Sequence, residues 1–132
     1  MSEIKILGMF EDSLKDFFYE LIEQFPEEGD LVVILCFLKT NVPVVDVMNI
    51  FNTYINSNDG ELKKMVKERN ETFFLKHNLF DVFGKDKVGH FKKLWTSQQM
   101  SQDTKDGIWS WIDSFIKLGD AYMKVMSTKS TV

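Results

Sequence analysis

The chain has 132 residues, of which 44% are hydrophobic and 27% are charged, and its formal net charge at pH 7 is −4. This length supports one domain with its own core, and the composition is that of a globular protein, which argues against disorder except at the chain ends. A single cysteine, Cys36, excludes an internal disulfide. Together with an N-terminus that lacks signal-peptide features, it indicates an intracellular protein. The longest apolar run, residues 31–38, is too short for a membrane span.

Two prolines and seven glycines leave little turn chemistry, so the composition favours long helices. The first predicted helix spans residues 11–25, and Pro26 ends it. Residues 4–9 either extend this helix backwards or form a short arm, because Gly8 interrupts their pattern. The predicted buried side of the helix consists of Phe10, Leu14, Phe17, Phe18, Leu21, Ile22 and Phe25, which recur at helical spacing.

Residues 31–38 follow a loop at residues 26–30 and are apolar without interruption. Such a run fits either a buried strand or a buried helix, since periodicity alone does not separate the two. No other segment offers it a strand partner. We therefore expect a helix at the hydrophobic centre of a bundle, with Cys36 buried in it as a small apolar side chain.

The middle of the chain predicts three further helices, over residues 43–55, 61–76 and 87–96, with a short aromatic turn at residues 79–83. Between the first two of these lies the clearest loop of the chain. It is not a calcium-binding loop, because the first and twelfth ligand positions would fall on Ile55 and Val66.

The strongest helix prediction covers residues 101–126. Gly119 lies within its apolar face, where a missing side chain would let a neighbouring backbone approach closely. Ser101 is the expected N-cap, and two acid-first ion pairs at i,i+4 spacing, Asp113–Lys117 and Asp120–Lys124, are predicted on the polar side. The expected buried face holds Ile108, Trp109, Ile112, Phe115, Ile116, Tyr122, Met123 and Met126.

These elements together predict an all-α protein, a single-domain bundle of five or six helices over residues 1–126 with a flexible C-terminal tail at residues 127–132.

No catalytic or metal-binding pattern occurs in the sequence. His77 and His90 have no further His or Cys at zinc-ligand spacing, and there is no Gly-rich phosphate loop or nucleophile motif. We therefore expect no catalytic, cofactor-binding or metal-binding residues, no cofactor and no small-molecule substrate. This leads to the interpretation of a non-enzymatic protein.

A second apolar ridge on the last helix, formed by Trp111, Leu118 and Val125, is spaced by seven residues. It widens the apolar face to roughly 200°, which exceeds what one packing surface needs. Either another helix of the chain covers the ridge, or it is an interface for a protein partner or a second copy, with the tryptophan as anchor. The main functional interpretation is accordingly a protein–protein interaction or assembly protein.

Charge is unevenly distributed along the chain. Residues 1–59 hold eleven acidic residues and three lysines, a net charge of −8, whereas residues 60–132 carry +4. The alternative function is a small nucleic-acid-associated regulator that uses lysines in residues 63–93. Base stacking would need exposed aromatic side chains, but the phenylalanines there follow a buried period, so nucleic acid is the weaker interpretation. The candidate basic patch consists of Lys63, Lys64, Lys67, Arg69, Lys92 and Lys93.

Three segments carry a resemblance to a group of viral proteins: FFLKHNLFDVF at residues 73–83, VGHFKKLW at 88–95 and SQDTKDGIWSWIDSFIKLGDAYMK at 101–124. They resemble the C-terminal halves of small helical proteins encoded by large double-stranded DNA viruses of algae and amoebae. The shared feature is Lys-Leu-Trp on one helix and Thr-Lys-x-x-Ile-Trp opening the next. The resemblance implies a viral origin and a virion or virus-factory component, located in the host cytoplasm or the virion, and it carries no catalytic residue.

Overall fold

The structure, a computed structural model, describes residues 2–40, 42–76 and 92–130. Over these ranges the chain forms helices and no strand, so the predicted all-α bundle is confirmed. A short helical stretch at residues 92–95 precedes the last helix. The other helices are α1 (Glu3–Gln24), α2 (Gly29–Thr40), α3 (Val44–Lys67), α4 (Glu71–Lys76) and α5 (Gln102–Ser130).

The core lies where α1, α3 and α5 meet, and aromatic rings from all three helices fill it. The ring of Phe10 on α1 lies 5.7 Å from that of Phe51 on α3 and 5.8 Å from that of Phe115 on α5. Burying one such side chain contributes about 1.5–3 kcal/mol, and edge-to-face or offset ring geometry adds to it. The C-terminal helix is therefore a central packing element, while α2 packs mainly on α1 and α4 on α3.

Helix α1 begins well before the predicted residue 11, so residues 4–9 extend the helix. The Ser2 hydroxyl caps it by accepting a hydrogen bond from the Lys5 backbone N–H at 3.2 Å. Ile6 is fully buried in the core, which anchors the extension despite the glycine at position 8. A cap and one buried side chain per turn are enough to continue a helix through a single unfavourable residue.

Helix α2 resolves the strand-or-helix alternative at residues 31–38, but its predicted position was wrong. It lies at the edge of the bundle, and only three of its side chains are buried: Leu31, Ile34 and Leu35. Cys36 is exposed, contrary to the expectation that it is buried. The physical reason is that α2 packs mainly on one neighbour, and one neighbour covers only one stripe of a helix.

Helix α3 contains a break at the predicted loop. Ser57 is extended, and Asn58, Asp59 and Gly60 have φ values of 50°, 58° and 78°. The predicted helix at residues 61–76 is also interrupted, because Arg69 takes a φ of 58° before α4 begins. His77, His90, the aromatic turn at 79–83 and the first half of the predicted helix at 87–96 lie outside the described residues.

Helix α5 is capped as predicted, since the Ser101 hydroxyl accepts the Thr104 backbone N–H at 3.1 Å. Its face toward the core holds five of the predicted residues in buried positions. Met123 and Met126, assigned to that face from the sequence, are instead 47% and 37% exposed. The helix continues through Ser130, so residues 127–130 of the predicted tail are helical. The buried five are Ile108, Trp109, Ile112, Phe115 and Tyr122.

Gly119 is the point of closest approach between α3 and α5. The buried side chain of Asn52 donates a hydrogen bond from its Nδ2 to the Gly119 carbonyl at 3.3 Å. A Cβ at position 119 would overlap the Asn52 Oδ1. The predicted close approach is therefore present, although a side chain rather than a backbone makes it.

Candidate interaction surfaces

The ridge predicted as an interface on α5 is in large part covered by the chain itself. Trp111 is half-buried, its indole Nε1 donates to the Glu20 carboxylate of α1 at 2.7 Å, and its ring lies 6.0 Å from that of Phe17. Leu118 and Val125 are also half-buried and pack against the core. Helix α1 thus covers much of Trp111, and the ridge offers a partner only the remaining part of its surface.

Two residues of the predicted basic patch are neutralised by acids of α5. Lys63 Nζ lies 2.7 Å from Asp120 Oδ1, and the Arg69 guanidinium binds both oxygens of Asp113 at 3.1 and 2.7 Å. The predicted i,i+4 pairs are therefore replaced by pairs between helices. For Asp113, the two-point contact with Arg69 is favoured over the predicted contact with Lys117, because two charge-assisted hydrogen bonds outweigh one flexible lysine contact.

Arg69 holds the turn between α3 and α4 against α5. Its guanidinium lies 5.5 Å from the Trp109 ring centroid, in addition to the contact with Asp113. The hydrogen bonds that the Arg69 guanidinium donates to Asp113 are the main cause that raises the pKa of Arg69 above its ordinary value, against a smaller opposing effect of burial. The guanidinium therefore stays positively charged, and here it joins the turn to α5.

Four lysines converge on an open groove between the second part of α3 and α5, which we call the basic groove. Two acids, Asp59 and Asp113, share its walls, and among the described residues no aromatic side chain lines it. Lys117 was missed by the sequence interpretation, because it is distant in sequence from the other three. Lys92 and Lys93 do not belong to the groove. The four lysines are Lys63, Lys64, Lys67 and Lys117.

The most exposed apolar surface of α2 faces away from the core. Val32, Val33 and Phe37 are 43%, 52% and 41% exposed, and Cys36 is exposed between them. We call these four residues the outer α2 face. Sequence reasoning missed it because an uninterrupted apolar run was taken as buried all round. The available signal was the short connection at residues 25–28, which keeps α2 beside α1.

Within the described ranges, no group of three or more His, Cys, Asp or Glu side chains could hold a metal ion. None of the described helices is by itself long and apolar enough to cross a membrane, although α2 and α3, taken together across their bend, reach that length and composition. No protein-family model, curated protein or solved structure matches the chain. The protein is thus defined by its all-α fold and by the ridge, the basic groove and the outer α2 face.

Proposed function

We propose that the protein is a non-enzymatic interaction protein that binds a protein partner through the outer α2 face. The observation that carries this proposal is that α2 is apolar on all sides but buried on one. A helix of that composition normally lies in a core, and the fold needs only Leu31, Ile34 and Leu35 of it. The remaining apolar side chains are in excess of what folding requires, and contiguous exposed apolar surface marks interaction sites.

The viral resemblance of residues 73–124 supports a more specific form of the proposal. In it the partner belongs to a virion or a virus factory, and the protein acts in the host cytoplasm or the virion. Small helical proteins without catalytic groups suit an assembly role, because a helix face alone can recognise a partner helix.

The test is a pair of substitutions in the outer α2 face, Val33→Ser with Phe37→Ser. Both side chains are more than a third exposed, so the fold should survive with a loss of stability below about 1 kcal/mol. Quantitative affinity capture from the producing cells should show proteins bound by the wild type and lost from the variant. Sedimentation velocity on the same samples would detect self-association through the face.

The matched control is Met123→Ser with Met126→Ser, which removes two comparably exposed apolar side chains from α5. It should retain the partners of the wild type. The proposal fails if both variants and the wild type capture the same proteins and sediment alike.

Nucleic-acid binding is the second candidate function, and the convergence of four lysines on the basic groove favours it. Against it stand the ion pairs that neutralise Lys63 and Arg69 and the two acids in the groove wall. Fluorescence anisotropy with labelled oligonucleotides should decide. Binding through the groove would weaken steeply with salt and be lost in Lys64→Gln/Lys67→Gln/Lys117→Gln, because phosphate contacts release counterions. Insensitivity to those three substitutions would exclude it.

A further inference from the structure

Acidic residues of α1 lie along one edge of the outer α2 face. A contact between α1 and α2 shows which edge this is. The ammonium of Lys39 on α2 donates to the Tyr19 hydroxyl of α1 and lies 4.7 Å from the centre of its ring. On α2, Lys39 is within about 60° of Val32 and Cys36 on the helical wheel. The Val32 edge of the outer α2 face is therefore the edge that lies beside Tyr19.

Tyr19 belongs to an exposed stripe of α1 on which three acidic residues outnumber two lysines, Lys5 and the partly exposed Lys15. Asp12, Asp16 and Glu23 lie within about 60° of Tyr19 around the helix, and all of them are exposed. We call these three residues the acidic stripe. An apolar surface on α2 and a line of carboxylates on α1 thus run side by side.

The surrounding residues add further negative charge to this surface. Glu27 and Glu28 stand in the turn between α1 and α2, and Asp30 follows in the first turn of α2. The nearby cations are Lys39, held on Tyr19, Lys15, which lies 3.1 Å from Glu11, and Lys5 near the start of α1. Residues 1–59 as a whole carry a net charge of −8. A partner at this surface meets a negative potential.

We propose that the outer α2 face and the acidic stripe together bind a basic amphipathic helix of a partner protein. The partner's apolar side would cover Val32, Val33 and Phe37, and its lysines or arginines would meet the carboxylates of α1. Helix-on-helix recognition of this kind uses apolar anchors at i, i+3/i+4 and i+7. Since α2 has 12 residues, about 18 Å of helix is available, which matches three to four turns of a partner.

Charge complementarity favours a basic partner helix over two other candidates, a second copy of the chain and a membrane surface. A second copy that docks by the same face would bring two halves of charge −8 together, and like charges facing each other oppose association. A membrane surface rich in anionic lipid would be repelled for the same reason. This inference rests on the proposed function, because it names the partner chemistry of the same surface.

The experiment measures the binding of two labelled helical peptides of about 14 residues by fluorescence anisotropy. Both place leucines at helical spacing on one side, and the other side is lysine in one peptide and glutamate in the other. At about 150 mM salt, where distant charges are screened, we expect the lysine peptide to bind at least about tenfold more tightly than the glutamate peptide.

Two variants separate the contributions of the surface. Val33→Ser/Phe37→Ser should weaken the lysine peptide about tenfold through the lost anchors. Asp12→Lys/Asp16→Lys/Glu23→Lys should weaken it by about as much or more, and should improve binding of the glutamate peptide. The matched control Glu61→Lys/Glu68→Lys/Asp106→Lys makes the same change in net charge at exposed acids outside this surface. This control variant should keep most of the wild-type affinity for the lysine peptide.

The proposal is overturned if the control weakens the lysine peptide as much as the acidic-stripe variant does, since binding would then follow net charge alone. A glutamate peptide that binds as tightly as the lysine peptide also overturns it. So does dimerisation through the outer α2 face. If neither peptide binds but Val33→Ser/Phe37→Ser loses cellular partners, the basic partner is wrong and the interaction function stands. If that variant changes neither peptide binding nor partner capture, both proposals are wrong.

Discussion

Gly119 and Asn52 set the distance between α3 and α5. Replacing Gly119 by alanine would gain about 1 kcal/mol of helix propensity. The added Cβ would, however, overlap the buried Asn52 amide and displace its hydrogen bond to the Gly119 carbonyl. Crowding a packed contact and leaving a buried amide unsatisfied cost about 1–3 kcal/mol each. We expect Gly119→Ala to lower the free energy of unfolding by about 1–5 kcal/mol, measured by urea denaturation.

Gly107, on the same helix, is the control for this substitution. An added Cβ there meets nothing within 4 Å, so Gly107→Ala should raise stability by up to about 1 kcal/mol. A Gly119→Ala protein that is stabilised to the same extent would contradict the close contact with Asn52. The double variant Asn52→Ala/Gly119→Ala should recover part of the loss, because it removes the overlapping amide.

Arg69 and Asp113 form the ion pair with the most specific geometry in the described part of the chain. The two side chains are 42% and 39% exposed, so solvent screens their attraction. A double-mutant cycle with Arg69→Gln and Asp113→Asn should give a coupling of about 0.5–1 kcal/mol, which decreases at high salt. The measurement is urea denaturation of the four proteins at low and high salt.

The Lys63–Asp120 pair serves as the comparison, since it makes a single contact at 2.7 Å. Its cycle, with Lys63→Gln and Asp120→Asn, should give a smaller coupling than that of Arg69 and Asp113. Equal couplings would mean that the two-point geometry and the stacking on Trp109 contribute nothing measurable.

At the scale of elements, α2 is attached differently from the other long helices. It packs mainly on α1 and buries three side chains, whereas α1, α3 and α5 pack on one another. Helices with few buried contacts open at a lower free energy than the global unfolding transition. We expect the amides of α2 to exchange with deuterium faster than those of the central part of α5, as measured by mass spectrometry of proteolytic peptides.

Leu35→Ala provides a check on that expectation. The residue is 5% exposed and belongs to the stripe of α2 that faces the core, so the substitution should cost about 2–5 kcal/mol of local packing. It should accelerate exchange in α2 more than in α5. Equal protection of α2 and α5 in the wild type would show that α2 is held as firmly as the core.

The molecule as a whole should unfold in one transition. One cluster of buried side chains includes residues from α1, α2, α3 and α5 and from residues 92–95. Trp95 and Trp109 meet at 5.4 Å, and Trp111 binds α1, so tryptophan fluorescence reports on several contacts between elements. Urea unfolding followed by fluorescence and by far-UV circular dichroism should have coincident midpoints, as expected for a small single domain.

Separate midpoints would indicate that part of the helical content unfolds independently of the tryptophan contacts. In that case α2, which contains no tryptophan, would be the first region to examine. A spectrum dominated by sheet would contradict the all-α fold altogether.

Much of the architecture follows from the sequence because helical periodicity is a local property. The spacing of apolar residues identified α1 and α5 and their buried sides, Ser101 marked the start of the last helix, and Gly119 marked a close contact. Residues 56–60 were predicted as a loop and contain the break in α3. Each of these features depends on residues within a few turns of one another.

The interaction surfaces depended on tertiary structure. A helix that is apolar on every side can be buried on any of them, so its sequence does not show which side its neighbours cover. Residues 31–38 alone therefore did not reveal the outer α2 face. Likewise, Asp113 and Asp120 had suitable lysines one turn away, yet they pair with Arg69 and Lys63. Those partners come from α3 and from the turn that follows it, and only the packing of this part of the chain against α5 brings their charges within bonding distance.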